Sequence, residues 1–481
     1  MQHFERPASR RDFLCRAGGG FGALALYGLM AESGLLPSQR AVAGGTKTPV
    51  NPLAPKPGQL LGRAKSAIFL FMDGGPSHLD TFDYKPMVSR FAGKPLPPTV
   101  KRVFTPMSVS ENAVLALPRT WQRYGESGLP VSDWYRHVGP HVDDLCMIHS
   151  CVSSGLNHVG SVSMMNTGSL LGGRPSLGAW VNYGLGSENQ NLPGFVVLLD
   201  NAKEPPGGGR VWGTGFMPAT YQGTQFRSGR EPILDLHPPQ RITDERQRGK
   251  LEFLRQLNRR HLDDRAGDHE LEARIASYEL AFRMQAHAPE AVDLSQETAA
   301  TQRNYGMDDP VTSTFGRNCL LARRLVERGV RFVQLYSGSG SKWDAHSQIE
   351  ENHGLHCRET DRPIAALLAD LKQRGLLDDT LVIWGGEFGR TPMSEKGDGR
   401  DHNPYGFTTW LAGGGVKGGH VVGATDDFGM HAIDNAVPVH DLHATILAAM
   451  GLDHSELIYV HQGRPERATV NEGNVVDDVF A

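Results

Sequence analysis

Six apolar residues in an unbroken run, 67–72, constrain this chain most, because Asp73-Gly74-Gly75-Pro76 cuts the run off abruptly. A run that does not alternate buries both of its faces, as a central strand of a parallel sheet does. A carboxylate at the C-terminal end of such a strand, on a loop that cannot continue the sheet, sits where α/β folds place their ligands. Asp80 and Asp83 follow, with Ser77 and His78 before them. Oxygen-rich side chains and an imidazole near one strand end suit a divalent cation. The same residue types also make turns.

The pattern recurs downstream. Further apolar runs at 145–149, 195–199, 330–336, 381–384 and 408–411 read as strands, and 134–144, 157–167, 315–328 and 363–373 read as helices. Strand and helix alternating at these intervals predict an α/β fold, a doubly wound and mainly parallel sheet with helices on both faces. Segment 235–305 changes character. It is rich in Arg, Asp, Glu and Gln, with Leu251, Phe253, Leu254 and Leu257, then Leu271, Ile275, Tyr278 and Phe282, at helical spacing. This predicts a charged helical pair inserted against one side of the sheet.

The N-terminus reads as a processing segment. Ser9-Arg10-Arg11-Asp12-Phe13-Leu14 is a twin-arginine signature, a weakly apolar, glycine-rich stretch follows, and Ala41-Val42-Ala43 offers a small-residue cleavage site. Together they predict a Tat export signal over 1–43 and a periplasmic or extracellular protein. The stretch is too short and too glycine-rich for a stable transmembrane anchor. Residues 44–64 read as a linker, and 65–481 as one α/β domain carrying the insertion. Cys146 and Cys151 can pair in an oxidising compartment, although their spacing does not require it. A net charge of −4 gives no reason to expect nucleic acid as a partner.

Three strand ends carry ligand-type residues: Asp73, Asp344 with His346, and Glu387. His402 follows in the loop Gly399-Arg400-Asp401-His402-Asn403-Pro404. In this architecture all four positions reach one edge of the sheet. They predict a site for one or two divalent ions, Zn²⁺, Mn²⁺ or Ca²⁺. Arg390, just after Glu387, is placed either to hold an anion through its fork or to form a surface salt bridge.

The stretches FLFMDGGPSHLDTFDYKP, NHVGSVSMMNTG, WDAHS, DDTLVIWGGEFGRTP, GRDHNPYGFTTWLAGGGVKGG and VHDLHATILAAMGLDH resemble the alkaline phosphatase/sulfatase superfamily. More closely, they resemble an uncharacterised, Tat-exported branch of it found in planctomycete-type bacteria. The resemblance implies an alkaline phosphatase-like fold. It also implies that Asp73 is the first-strand metal carboxylate, that Asp344, His346 and His402 hold one metal with His353 as a rival to His346, and that Glu387 serves a second metal. Phe388 stands where the superfamily has a His. The superfamily nucleophile lies ten residues before the Gly of a Thr-Gly pair, and here that residue is His158, with Ser154, Ser161 and Ser163 nearby. His158 is open to three roles: metal ligand, general base or nucleophile. Cys151 is followed by Val152-Ser153-Ser154-Gly155, without the Pro and Arg of a formylglycine sulfatase. The implied function is an exported, metal-dependent hydrolase of phosphate or sulfate esters using metal-activated water. Its substrate would be an anionic small-molecule or polysaccharide ester. The alternatives are a non-catalytic metal-containing scaffold and a structural partner of other exported proteins. The sequence says nothing of oligomeric state.

Overall fold

The 67–72 run lies at the centre of a nine-stranded sheet in the computed structural model, which describes residues 51–227, 232–233, 243–263 and 269–481. Strand β1 (Ser66–Met72) pairs in parallel with β5 (Phe332–Ser337) on one side and β6 (Thr380–Gly385) on the other. Beyond β5 come β3 (Phe195–Leu199) and β4 (Thr224–Phe226), also parallel. Beyond β6 the order is β9 (Phe407–Ala412), β2 (Leu145–Val152) and β10 (His420–Val422), and β11 (Val437–Pro438) also pairs with β2. Only β9 runs against the rest of this sheet. A hairpin, β7 (Gly389–Glu395) and β8 (Gly399–Asn403), separates β6 from β9 and returns the chain to the end of the sheet where β6 left it.

Both faces are covered, as an unbroken apolar run demands. Phe69 and Phe71 pack into the core under α1 (His158–Thr167), α2 (Leu177–Leu185) and the C-terminal helix α7 (Val439–Ala449). Ile68, Leu70 and Met72 pack under α5 (Ser313–Glu327) and α6 (Ile349–Gln373). The expected α/β class is therefore the one the chain adopts. The charged insertion is two helices, α3 (Asp244–Asp263) and α4 (His269–Val292), and Met284, Ala288 and Ala291 of α4 join the core beside α5. No helix among the described residues is long and apolar enough to cross a membrane. The twin arginines and the cleavage site lie outside the described residues.

Several local expectations fail for identifiable reasons. Residues 134–144 are not one helix but two 3₁₀ turns, Asp133–Tyr135 and Gly139–Asp144, because Gly139-Pro140 breaks the run. Helix α6 starts at Ile349 and continues through Pro363, whose ring is buried, so packing overrides the start signal that proline offers. His402 lies in a hairpin strand rather than a loop. Residues 51–64 are not a free linker. Backbone bonds from Lys56 to Leu185 (2.8 Å), Leu60 to Gly451 (2.9 Å) and Ala64 to Ala449 (3.0 Å) lay them along the body. Cys146 and Cys151 are both free and buried. Five residues apart on one strand, they stand roughly 16 Å from each other, beyond the reach of a disulfide.

Helix α1 is fixed at both ends. Asn157 caps its N-terminus, accepting from Gly160 N at 3.0 Å. At its other end, His440 and His443 of α7 donate from Nε2 to Gly168 O (2.7 Å) and Met165 O (2.8 Å). Burial pushes the His443 pKa down to about 4. A folded-state value below the ordinary 6.5 means that the unfolded chain takes up the proton first. This contribution is therefore complete above about pH 6.5 and is lost as pH falls towards 4. Wild type should lose about 2 kcal/mol between pH 7 and pH 5 at this residue alone. His443→Gln, which keeps a donor but does not titrate, should lose correspondingly less in urea titrations at the two pH values. Equal losses would remove His443 from the account.

Candidate metal centre

Four elements deliver the site to the C-terminal edge of the sheet. β1 ends in Asp73, the loop after β5 carries Asp344 and His346, β6 leads to Glu387, and α1 opens with His158. The hairpin adds His402, opposite Arg390 in the register. Two glycines let these pieces close. A Cβ on Gly74, whose φ is +122°, would stand 2.5 Å from Asp344 N, and one on Gly399 would stand 2.2 Å from the His346 carbonyl carbon. Neither loop tolerates a side chain there.

The nearest convergence is on Asp344. Its Oδ1 lies 3.1 Å from His346 Nε2 and 3.2 Å from His402 Nε2, and its Oδ2 lies 3.1 Å from His158 Nε2. One ligand atom from each of these four residues falls within 4.8 Å of all the others. The opposite nitrogen of every ring is tied back. His158 Nδ1 meets Glu387 Oε1 at 2.8 Å, His402 Nδ1 meets Leu156 O at 2.8 Å, and His346 Nδ1 pairs with Glu395 Oε2. An imidazole whose Nδ1 proton is held by an acceptor presents the Nε2 lone pair. Bare lone pairs would repel the carboxylate, so each Nε2 facing Asp344 either carries a proton or binds a cation. The side chains of His158, Asp344 and His346 are about one-fifth exposed, so the cluster is open to solvent.

Electrostatics follow this geometry. Burial opposes the charge on Asp344, but its three imidazole neighbours and Arg390 outweigh that and hold its pKa well below the carboxylate range. Burial also opposes charge on His158, yet the carboxylates of Asp344 and Glu387 raise its pKa to about 9. Burial pulls His402 down. Behind the cluster, Asp73 and Glu387 are fully buried neighbours. Asp73 Oδ2 accepts from Gly340 N (2.7 Å) and Ser341 N (3.0 Å), whereas no donor among the described residues reaches its buried Oδ1. Burial, then the charge of Glu387, raises the Asp73 pKa to about 8. An unpaired carboxylate oxygen beside a second carboxylate fits a cation better than it fits either protein charge alone.

Other candidate residues go elsewhere. His353 is buried against Trp343, and its Nε2 accepts from Ser77 N at 3.0 Å, so its lone pair is already engaged. Burial holds it neutral, with a pKa well below the ordinary value. The Arg390 fork is neither open to a substrate anion nor a surface ion pair, because it is fully buried and turned onto the protein itself. Nε donates to Gly75 O (2.8 Å), Nη1 to Arg400 O (3.2 Å), and Nη2 to Asp344 Oδ1 (2.8 Å) and to Gly74 O. It clamps the Asp73 loop to the Asp344 loop. Asp80 forms a buried bidentate pair with Arg400 (2.8 and 3.1 Å), and Asp83 pairs with Lys85 (3.2 Å). Ser161 and Ser163 are buried in α1, and Ser154 is exposed. Phe388 stacks on His402 with ring centroids 4.2 Å apart. Sequence reasoning missed Glu395, which sits opposite Gly399 in the hairpin register and orients His346. The only local hint was an acid at the end of a strand.

Residues 64–480 match a protein family described as "Protein of unknown function (DUF1501)". No curated protein matches the chain. Similar solved structures include the PsFucS1 sulfatase from Pseudoalteromonas sp., at 12% identity and TM-score 0.34, covering 81% of this chain and 68% of that one. The phosphonate monoester hydrolase SpPMH from Silicibacter pomeroyi has 12% identity and TM-score 0.35, covering 71% and 73%. A mutant alkaline phosphatase from the Antarctic bacterium TAB5, with Mg bound, has 11% identity and TM-score 0.31, covering 74% and 92%.

Proposed function

The chain belongs to the DUF1501 family, whose description names no activity, and from the chemistry of its own side chains we propose that it is a metal-dependent hydrolase of phosphate or sulfate esters. The observation that carries this reading is the arrangement of three imidazoles, each anchored through Nδ1, around the Asp344 carboxylate. His158, Asp344, His346 and His402 would hold one cation, and Asp73 with Glu387 a second. Three nitrogen donors favour Zn²⁺ or Mn²⁺ over Ca²⁺ at the first position. A divalent cation so bound polarises an ester oxygen and lowers the pKa of a neighbouring water. In the reaction an oxygen of water bonds to phosphorus or sulfur, the bond to the ester oxygen breaks, and the proton ends on the leaving alcohol. His158 serves as a ligand with Glu387 orienting it, because both of its nitrogens are engaged. Arg390 acts through the loops it clamps rather than on the substrate.

The test is metal analysis of the purified protein, followed by assay against aryl phosphates and sulfates before and after chelation. At least one tightly held equivalent per chain and chelator-sensitive hydrolysis are expected. Metal-free protein with no ester hydrolysis would overturn the reading. Full metal occupancy without turnover of any ester would favour a non-catalytic scaffold. Export is a further part of the proposal, resting on Arg10-Arg11 and Ala41-Val42-Ala43. Replacing both arginines by lysine should leave the precursor in the cytoplasm on fractionation, and normal export of that variant would sink the idea.

A further inference from the structure

Two segments tied to the metal-type cluster carry apolar side chains that face solvent. Val159, directly after His158 on α1, is exposed, and so are Leu170 and Leu171 in the loop that follows the helix, Leu171 by 77%. Leu170 folds back over the first turn of α1, its Cδ2 lying 3.6 Å from where a Cβ on Gly160 would stand. The second segment holds Phe104, 70% exposed, and Met107. Met107 donates its backbone N–H to Asp401 Oδ2 at 2.7 Å, which ties the segment to the neighbour of His402. Single exposed apolar residues are ordinary on a protein surface, whereas grouped ones mark contact sites. Five such side chains lie on these two segments, one running on from His158 and the other bonded to the neighbour of His402.

We infer that the site takes an ester whose alcohol half is apolar, an alkyl or aryl group, with the anionic end at the histidine cluster and the apolar body against Val159, Leu170, Leu171, Phe104 and Met107. This rests on the hydrolase reading and narrows its substrate class. A sugar ester presents hydroxyls along its length and calls for side-chain donors and acceptors, and these five side chains offer none. An alkyl chain, by contrast, covers such surface and releases its water.

The test uses the full-length, metal-loaded protein and n-alkylphosphonates from ethyl to decyl, which have no ester bond to cleave, with binding followed by calorimetry. Affinity should rise about two- to fourfold per added methylene over part of the series. The Leu170→Ser, Leu171→Ser double variant should flatten that slope, and Leu61→Ser, at an exposed leucine held near Gly451, should not. A flat slope in wild type, an unchanged slope in the double variant, or tighter binding of a sugar phosphate than of decylphosphonate would each overturn the inference. So would a flat slope joined to co-sedimentation with phosphatidylcholine vesicles, which would assign the patch to a bilayer. Metal content and aryl-ester turnover on the same preparation separate the two ideas. If they are absent while the slope persists, the hydrolase reading fails. If they are present with a flat slope, only this inference fails.

Discussion

Replacing His158 by alanine is expected to remove bound metal and ester hydrolysis together. His158 is the residue that bridges the site, with Nε2 3.1 Å from Asp344 and Nδ1 2.8 Å from Glu387. Its loss takes one of three nitrogen donors from the outer position and leaves Glu387 Oε1 without its imidazole partner. Affinity for Zn²⁺ should fall by more than about a hundredfold, the most that removal of an orienting partner alone causes. Glu387→Gln keeps an acceptor for Nδ1–H and should weaken binding by about ten- to a hundredfold. Metal per chain after dialysis, with circular dichroism to verify folding, reads both effects. A folded His158→Ala protein that keeps its full complement of metal would exclude His158 as a ligand. A phosphorylated or sulfated His158 trapped in wild type would exclude it as well.

The second large effect is on stability. Arg390→Met should destabilise the protein by about 3–5 kcal/mol, the usual result of removing one member of a buried, hydrogen-bonded charge pair. The guanidinium is fully buried, and its removal leaves the carbonyls of Gly74, Gly75 and Arg400 and one oxygen of Asp344 without their donor. Methionine fills much of the volume, so the loss reports the unpaired acceptors rather than a cavity. The midpoint of urea unfolding should shift accordingly, and metal affinity should fall because Asp344 is no longer pinned. A loss below about 1 kcal/mol, the range of an exposed ion pair, would show that these contacts do not bind the loops together.

The continuous run at 67–72 was enough to predict a central strand with both faces buried. Its period and its abrupt end at Asp73 are local properties, and burial on two sides is the only stable fate of such a run. The strand ends at Asp73, Asp344 and Glu387 were legible for the same reason, because a parallel sheet sends all its C-terminal ends to one edge. The direction of each side chain was decided only by tertiary closure. Strand β9 runs antiparallel, so the β7–β8 hairpin must reverse the chain beside the site. An irregularity in its register between Arg400 and His402 re-aims His402 towards Asp344. His353 stood in sequence as a rival to His346; the two separate because α6 begins at Ile349 and carries His353 into the packing against Trp343. Arg390 read equally as an anion fork or a surface ion pair, because nothing local reveals that four backbone carbonyls and Asp344 close around it. His158 lies more than two hundred residues from Glu387 in the chain, and only the docking of α1 on the sheet makes them partners.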